Sequence, residues 1–173
     1  MKKEIALQAV NDAYANLNVS EQGADNSGKW IKVYLETVDL PEGYSWCAAW
    51  LKYRYLTASK KLNEKLSDNF LKLSGWCPDW QNYAQKNNIW ITAGNAKINP
   101  EIIKPGYAVF YYSETKKRVY HTGIVVKVNK YGIVTIEGNT APGSNIEANG
   151  DGVYLKRRLW KNINNNSGFM KTY

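Results

Sequence analysis

Cys47 and His121 are the residues of this sequence whose types and surroundings are best suited to joint chemistry. Cys47 stands in Tyr44-Ser45-Trp46-Cys47-Ala48-Ala49-Trp50, after a loop containing Pro41 and Gly43. Beyond it Ala48, Leu51, Tyr55, Ala58 and Leu62 recur at steps of three and four, which predicts a helix beginning at the cysteine. The unpaired N–H groups and the positive dipole end of a helix start favour a thiolate, and a neighbouring imidazole lowers a thiol pKa further, from about 8.5 toward roughly 3.5–7.5. His121, the only histidine of the chain, lies in Val119-Tyr120-His121-Thr122-Gly123-Ile124-Val125. Thiolate and imidazolium together form the nucleophile and base of an acyl-transfer site, provided a third group fixes the tautomer of the ring.

That third group is sought on the following strand. A three-residue loop at Asn129-Lys130-Tyr131 would pair Val128 with Gly132, placing His121 opposite Asn139 and Gly123 opposite Glu137. Directly opposed side chains have Cβ atoms about 4.5–5.5 Å apart and diagonal ones roughly 7–8 Å, so a carboxylate and an amide both come within reach of the imidazole. A slip of one residue would turn Glu137 and Asn139 to the other face. Zinc is a poor alternative, because one His and two Cys without close spacing do not make a ligand set.

The elements that must position these groups divide by period. Leu7, Val10, Tyr14 and Leu17 predict a helix over about 3–18, and Asn26-Ser27 caps a second over about 29–38. Pro41-Glu42-Gly43 separates that helix from the cysteine helix. A further helix opens at Cys77-Pro78, with Cys77 as cap and Pro78 at the first position, and ends by Asn87-Asn88. Cys77 reads as a structural thiol, since no second histidine is present to activate it. From Lys104 the period becomes two, with strands over 107–112, 119–128, 132–137 and 152–160. Helices over about 1–90 and an antiparallel sheet over about 104–173 predict one α+β domain spanning 1–173, its N-terminal helices packed on its C-terminal sheet.

Composition narrows the partners. A net charge of +8 in 173 residues calls for an anionic partner: nucleic acid, membrane or bacterial wall. The basic residues are scattered, and no zinc finger, RNA-binding or phosphate-loop motif occurs, which disfavours nucleic acid. No apolar run of about 18 residues occurs, and no apolar core follows Lys2-Lys3, so neither membrane insertion nor a signal peptide is expected. Synthesis in the cytoplasm would then require a separate route to any external target. Seven Trp and thirteen Tyr, many beside turns, suit a groove for an extended or sugar-bearing ligand.

Trp46-Cys47-Ala48-Ala49-Trp50, His121-Thr122-Gly123-Ile124-Val125, Ile136-Glu137-Gly138-Asn139-Thr140 and Gly150-Asp151-Gly152-Val153-Tyr154 resemble, in order, the blocks of CHAP domains, the cysteine, histidine-dependent amidohydrolases and peptidases. The loop and helix from Gly23 to Leu40 are also similar to small members of that family. The resemblance implies a papain-like α+β fold acting on peptidoglycan, as an N-acetylmuramoyl-L-alanine amidase or a peptide endopeptidase. It implies Cys47 as nucleophile, His121 as base, Glu137 as the group orienting His121, and Asn139 as a further partner of the ring. Tyr44, Trp46, Trp76 and Trp80 would bind the polymer, and Tyr44 would assist the Cys47 N–H at the oxyanion. No Asp cluster of the calcium-binding members occurs between Glu36 and Glu42, so no metal and no cofactor is expected. Tyr107 stands where many members carry Asp after Pro-Gly. A monomeric phage or prophage lysin reaching the wall by holin, virion or secretion system fits this reading; a non-catalytic wall-binding or assembly protein is the alternative.

Overall fold

The computed structural model describes residues 1–143, 146 and 149–173. Helices occupy the first half: α1 (Lys3–Tyr14), α2 (Lys29–Glu36), α3 (Cys47–Lys61), the single turn α4 (Asp68–Leu71) and α5 (Cys77–Lys86). The second half carries β1 (Trp90–Thr92), α6 (Ala93–Ile98), β2 (Ala108–Ser113), β3 (Arg118–Asn129), β4 (Gly132–Thr140), β5 (Gly152–Leu159) and β6 (Gly168–Met170). The strands form a six-stranded antiparallel sheet in the order β1-β6-β2-β3-β4-β5. The fold is therefore α+β, with N-terminal helices and a C-terminal antiparallel sheet, as the periodicity predicts. The three-residue strands β1 and β6 and the short α4 and α6 carry too few residues to show a period.

α3 is central. It packs on α1, α2, β3 and β4, and buries Ala48, Ala49, Trp50, Leu51, Tyr55 and Ala58. Even Lys52 and Arg54 are buried, their charged ends bonded to the carbonyls of Leu73 and Asp12 at 2.7 and 3.1 Å. Leu62, expected on the buried stripe, lies just past the helix and is exposed. One apolar cluster fills the space between the helices and the sheet. A second covers the opposite face, where Val109, Val125, Ile133 and Phe169 meet Ala96, Ile103 and Trp160.

α1 corrects the sequence expectation. Its buried face is Ile5, Ala6, Ala9, Val10 and Ala13, whereas Leu7 and Tyr14 are exposed. A row of alanines admits the close approach to α3 that leucine and tyrosine would prevent. The helix also stops at Tyr14, and the chain turns through Asn18 at φ +71°. Two helix starts differ by a residue or two from expectation: Gly28 rather than Asn26-Ser27 precedes α2, and Trp46-like Trp76 precedes α5, so Cys77 is its first helical residue.

The β3–β4 hairpin differs at its tip and agrees where it matters. The loop has two residues, Lys130-Tyr131, because Asn129 pairs with Gly132 and Val128 with Ile133. An extra residue at Val126 then shifts the ladder, giving Val125↔Thr135 and Ile124↔Ile136, the register expected from the longer loop. A second irregularity falls at Tyr120, between Tyr111↔His121 and Tyr112↔Val119, beside the histidine. Bulges of this kind bend a strand and re-aim its side chains.

Candidate active site

The N-terminus of α3 reaches the sheet through a gap left by a glycine. A Cβ on Gly138 would lie 2.8 Å from both Trp46 Cζ3 and Trp50 Cγ, so only a bare backbone lets these rings settle beside Glu137. Trp46 is anchored further by its indole N–H, which donates to Glu21 Oε1 at 2.8 Å. Cys47, the first residue of α3, is 3% exposed.

His121 and Glu137 lie on one face of the hairpin. Gly123 stands opposite Glu137, where a Cβ would approach Glu137 Cγ to 2.5 Å. The imidazole Nε2 and Glu137 Oε2 are 2.9 Å apart, and both side chains are fully buried. Tyr111, the cross-strand partner of His121, stacks on the ring with centroids 5.8 Å apart and an interplanar angle of 19°.

Glu137 is surrounded by donors. Tyr111 donates its hydroxyl to Oε1 at 2.8 Å, and Thr135 does so at 2.6 Å. Arg158 Nε donates to Oε1 at 3.0 Å and Nη2 to Oε2 at 2.5 Å, a bidentate pair. Burial alone would raise the carboxyl pKa, but hydrogen bonds from His121 and Arg158 and their positive charge hold it well below the carboxylate range. Glu137 is ionised throughout the neutral range. Nε2 of His121 must accordingly be the protonated nitrogen, which leaves Nδ1 for another partner.

Cys47 and His121 influence one another's protonation. Burial disfavours the imidazolium, yet hydrogen bonding to Cys47 and Glu137 and the charges of both lift His121 from 6.5 to about 9. Nδ1 nevertheless has no neighbour at full hydrogen-bonding geometry among the described residues. The thiol is close enough to shift the ring's proton affinity without being aligned on it, as is common in substrate-free sites. On the sulfur side, a hydrogen bond from Cys77 is the largest influence, lowering the Cys47 pKa against burial; His121 and the Ala48 N–H add to it, and the thiol falls well below its ordinary 9.0. Cys77 Sγ is 4.0 Å from Cys47 Sγ, and its own pKa is pushed well up by that bond and by burial. The arrangement holds a thiolate beside an imidazolium. It can attack a carbonyl carbon and return a proton to a leaving group.

The remaining expected residues separate. Asn139 adopts φ +56°, and its amide donates to Asn26 Oδ1 at 2.9 Å while accepting from Gly150 N at 3.2 Å. It braces the loop around Asn26, and both of these side-chain bonds go there, not to the imidazole. Trp46 and Trp80 are fully buried, so the expectation that they face the polymer is corrected; both are core, Trp80 packing between Phe70 and Phe110. Tyr44 and Trp76 are more than half exposed. They line a cavity of about 350 Å³ with Val38, Leu40, Ser45 and Ser74. Arg118 lies over the Trp76 ring at 5.9 Å.

Tyr111, Thr135 and Arg158 escape sequence reasoning, since nothing local to them differs from ordinary strand residues. The pattern Lys156-Arg157-Arg158 in a strand carries one usable signal: alternation buries Lys156 and Arg158 and exposes Arg157, and a buried arginine requires a carboxylate. Among the described residues no group of three or more His, Cys, Asp or Glu could hold a metal ion, and no helix is long and apolar enough to cross a membrane.

No curated protein and no solved structure shows significant similarity to the chain. A family model, that of the CHAP domain, matches residues 39–139, which run from the loop before Cys47 through His121 and Glu137 to Asn139. That match covers more than half of the chain, and the chain belongs to the CHAP domain family of peptidoglycan amidases and peptidases.

Proposed function

We propose that the chain hydrolyses an amide bond of peptidoglycan with Cys47 as nucleophile, His121 as acid and base, and Glu137 as the group that orients His121. The reading is supported above all by the buried Glu137–His121 pair, 2.9 Å apart, whose other ring nitrogen is left for the sulfur at the start of α3. The Cys47 thiolate attacks the carbonyl carbon, and the oxyanion takes hydrogen bonds from the Cys47 N–H and the Tyr44 hydroxyl. The His121 imidazolium gives its Nδ1 proton to the departing amine as the C–N bond breaks, leaving a thioester. The neutral imidazole then takes a proton from water, which attacks the thioester and releases the acid. Glu137 stays ionised throughout and keeps the second proton on Nε2.

Tyr44 and Trp76, with the apolar side chains of Val38 and Leu40, offer the bound polymer a groove of ligand size. The basic surface assists on an anionic wall. A single catalytic domain acting as a monomeric phage or prophage lysin is the setting this activity suits.

Purified chain should clear suspensions of bacterial wall, and Cys47→Ala should abolish clearing while wall binding and circular dichroism persist. Mass spectrometry of the digest then assigns the bond: free stem peptides mean amidase action, and new peptide N-termini mean endopeptidase action. Clearing by Cys47→Ala at the wild-type rate overturns the reading.

A further inference from the structure

The mechanism uses one of two thiols that touch. Cys47 Sγ and Cys77 Sγ are 4.0 Å apart, both residues are free and both are 3% exposed. Each is the first residue of its helix, α3 or α5, so two helix N-termini converge on one pair of sulfurs. We propose that Cys47 and Cys77 form an oxidative modification site, which peroxide closes into a disulfide that reversibly blocks the nucleophile. The disulfide needs sulfurs about 2.05 Å apart, so the pair must close by about 2 Å.

The chemistry balances in two steps. The Cys47 thiolate attacks one oxygen of hydrogen peroxide; the O–O bond breaks, and with one proton the products are Cys47 sulfenic acid and water. The Cys77 sulfur then attacks the sulfenic sulfur, an S–S bond forms, the S–O bond breaks, and hydroxide leaves with the Cys77 proton as a second water. Sulfur is oxidised and peroxide oxygen reduced, with no other reactant. The roles follow from the site. Cys47 is the more nucleophilic because the Cys77 S–H, the Ala48 N–H and His121 all stabilise its anion. Arg118, whose charge favours loss of the Cys77 proton, lies on the resolving side. Trp76, directly before Cys77, and Ser45, two residues before Cys47, line the groove nearest the pair in the chain.

Loss of activity on closure rests on the reading of Cys47 as nucleophile; formation of the bond does not. The test uses the full chain, reduced and then exposed to hydrogen peroxide in small excess, with intact mass, free-thiol titration and wall clearing followed together. The expected result is a monomer lighter by two hydrogens, both thiols lost, clearing lost in parallel, and all three restored by dithiothreitol. Cys77→Ser should instead gain one or more oxygens at Cys47 and recover only in part. Wild-type chain that keeps both thiols, or that gains oxygen without losing two hydrogens, overturns the proposal. A disulfide that forms in a chain unable to clear walls even when reduced upholds the site and overturns only the hydrolase reading.

Discussion

Replacing Arg158 by Met tests whether the charge under the imidazole is held as the geometry implies. Arg158 is 2% exposed and gives Glu137 two of the five hydrogen bonds it shares with Tyr111, Thr135 and His121. Met keeps the apolar stem and removes both donors and the positive charge. Breaking a buried pair by deleting one member costs about 3–5 kcal/mol, because the survivor stays desolvated. Three donors remain on Glu137, which sets the expected loss at the lower end, about 3 kcal/mol, in urea denaturation at pH 7. The pH dependence gives an independent readout. Glu137 has a folded pKa below its unfolded value, so its contribution is complete above the ordinary 4.5 and is lost as pH falls through the depressed folded value. Without Arg158 the folded value rises toward 4.5, and the decline in stability below that pH becomes shallower. A loss under about 1 kcal/mol, as for a surface pair, with an unchanged acid slope would refute the assignment.

Other expectations are briefer. Cys47 should be alkylated by iodoacetamide well below pH 8, and His121→Ala should move that reactivity toward the ordinary thiol range, because His121 is among the groups lowering the thiol. Wall clearing should fall on the alkaline side with a midpoint at about 9, where His121 loses the proton it gives to the leaving amine; a flat profile from pH 7 to about 10 would count against that role. Gly138→Ala places a methyl 2.8 Å from two indole rings and should cost about 1–3 kcal/mol by urea denaturation, with activity lost beyond what unfolding explains, since the α3 start must move. Asn139→Ala removes the amide that joins Asn26 to Gly150 and should cost about 1–3 kcal/mol while leaving the alkylation profile of Cys47 in place.

The parts of the site that were legible in the sequence are those fixed by neighbours along the chain. A cysteine opening an apolar three-four repeat places a sulfur at a helix start, and strand alternation puts His121 and Glu137 on one face of a hairpin. The parts that were not legible depend on which strands adjoin. Tyr111 reaches Glu137 because β2 lies against β3, and Arg158 reaches it because β5 lies against β4; neither neighbour relation is written in the local pattern. Trp46 and Trp80 lie within three residues of Cys47 and Cys77 in sequence, yet their burial follows from the packing of α3 and α5 onto the sheet. Asn139 follows Glu137 by two residues as alternation requires, but its amide is taken up by Asn26 and Gly150, partners that no local pattern announces.

The hairpin shows how a correct relation can survive an incorrect premise. The turn is one residue shorter than a three-residue loop, which alone would send Glu137 to the face away from His121. The extra residue at Val126 restores the parity. Seen energetically, the two departures are one feature. In an unbulged ladder after the same turn Arg158 would still reach Glu137 from β5, but His121 would fall on the opposite face and its buried ring would lose the carboxylate. With a two-residue turn, the demand that Glu137 meet His121 thus selects the bulged ladder over the regular one.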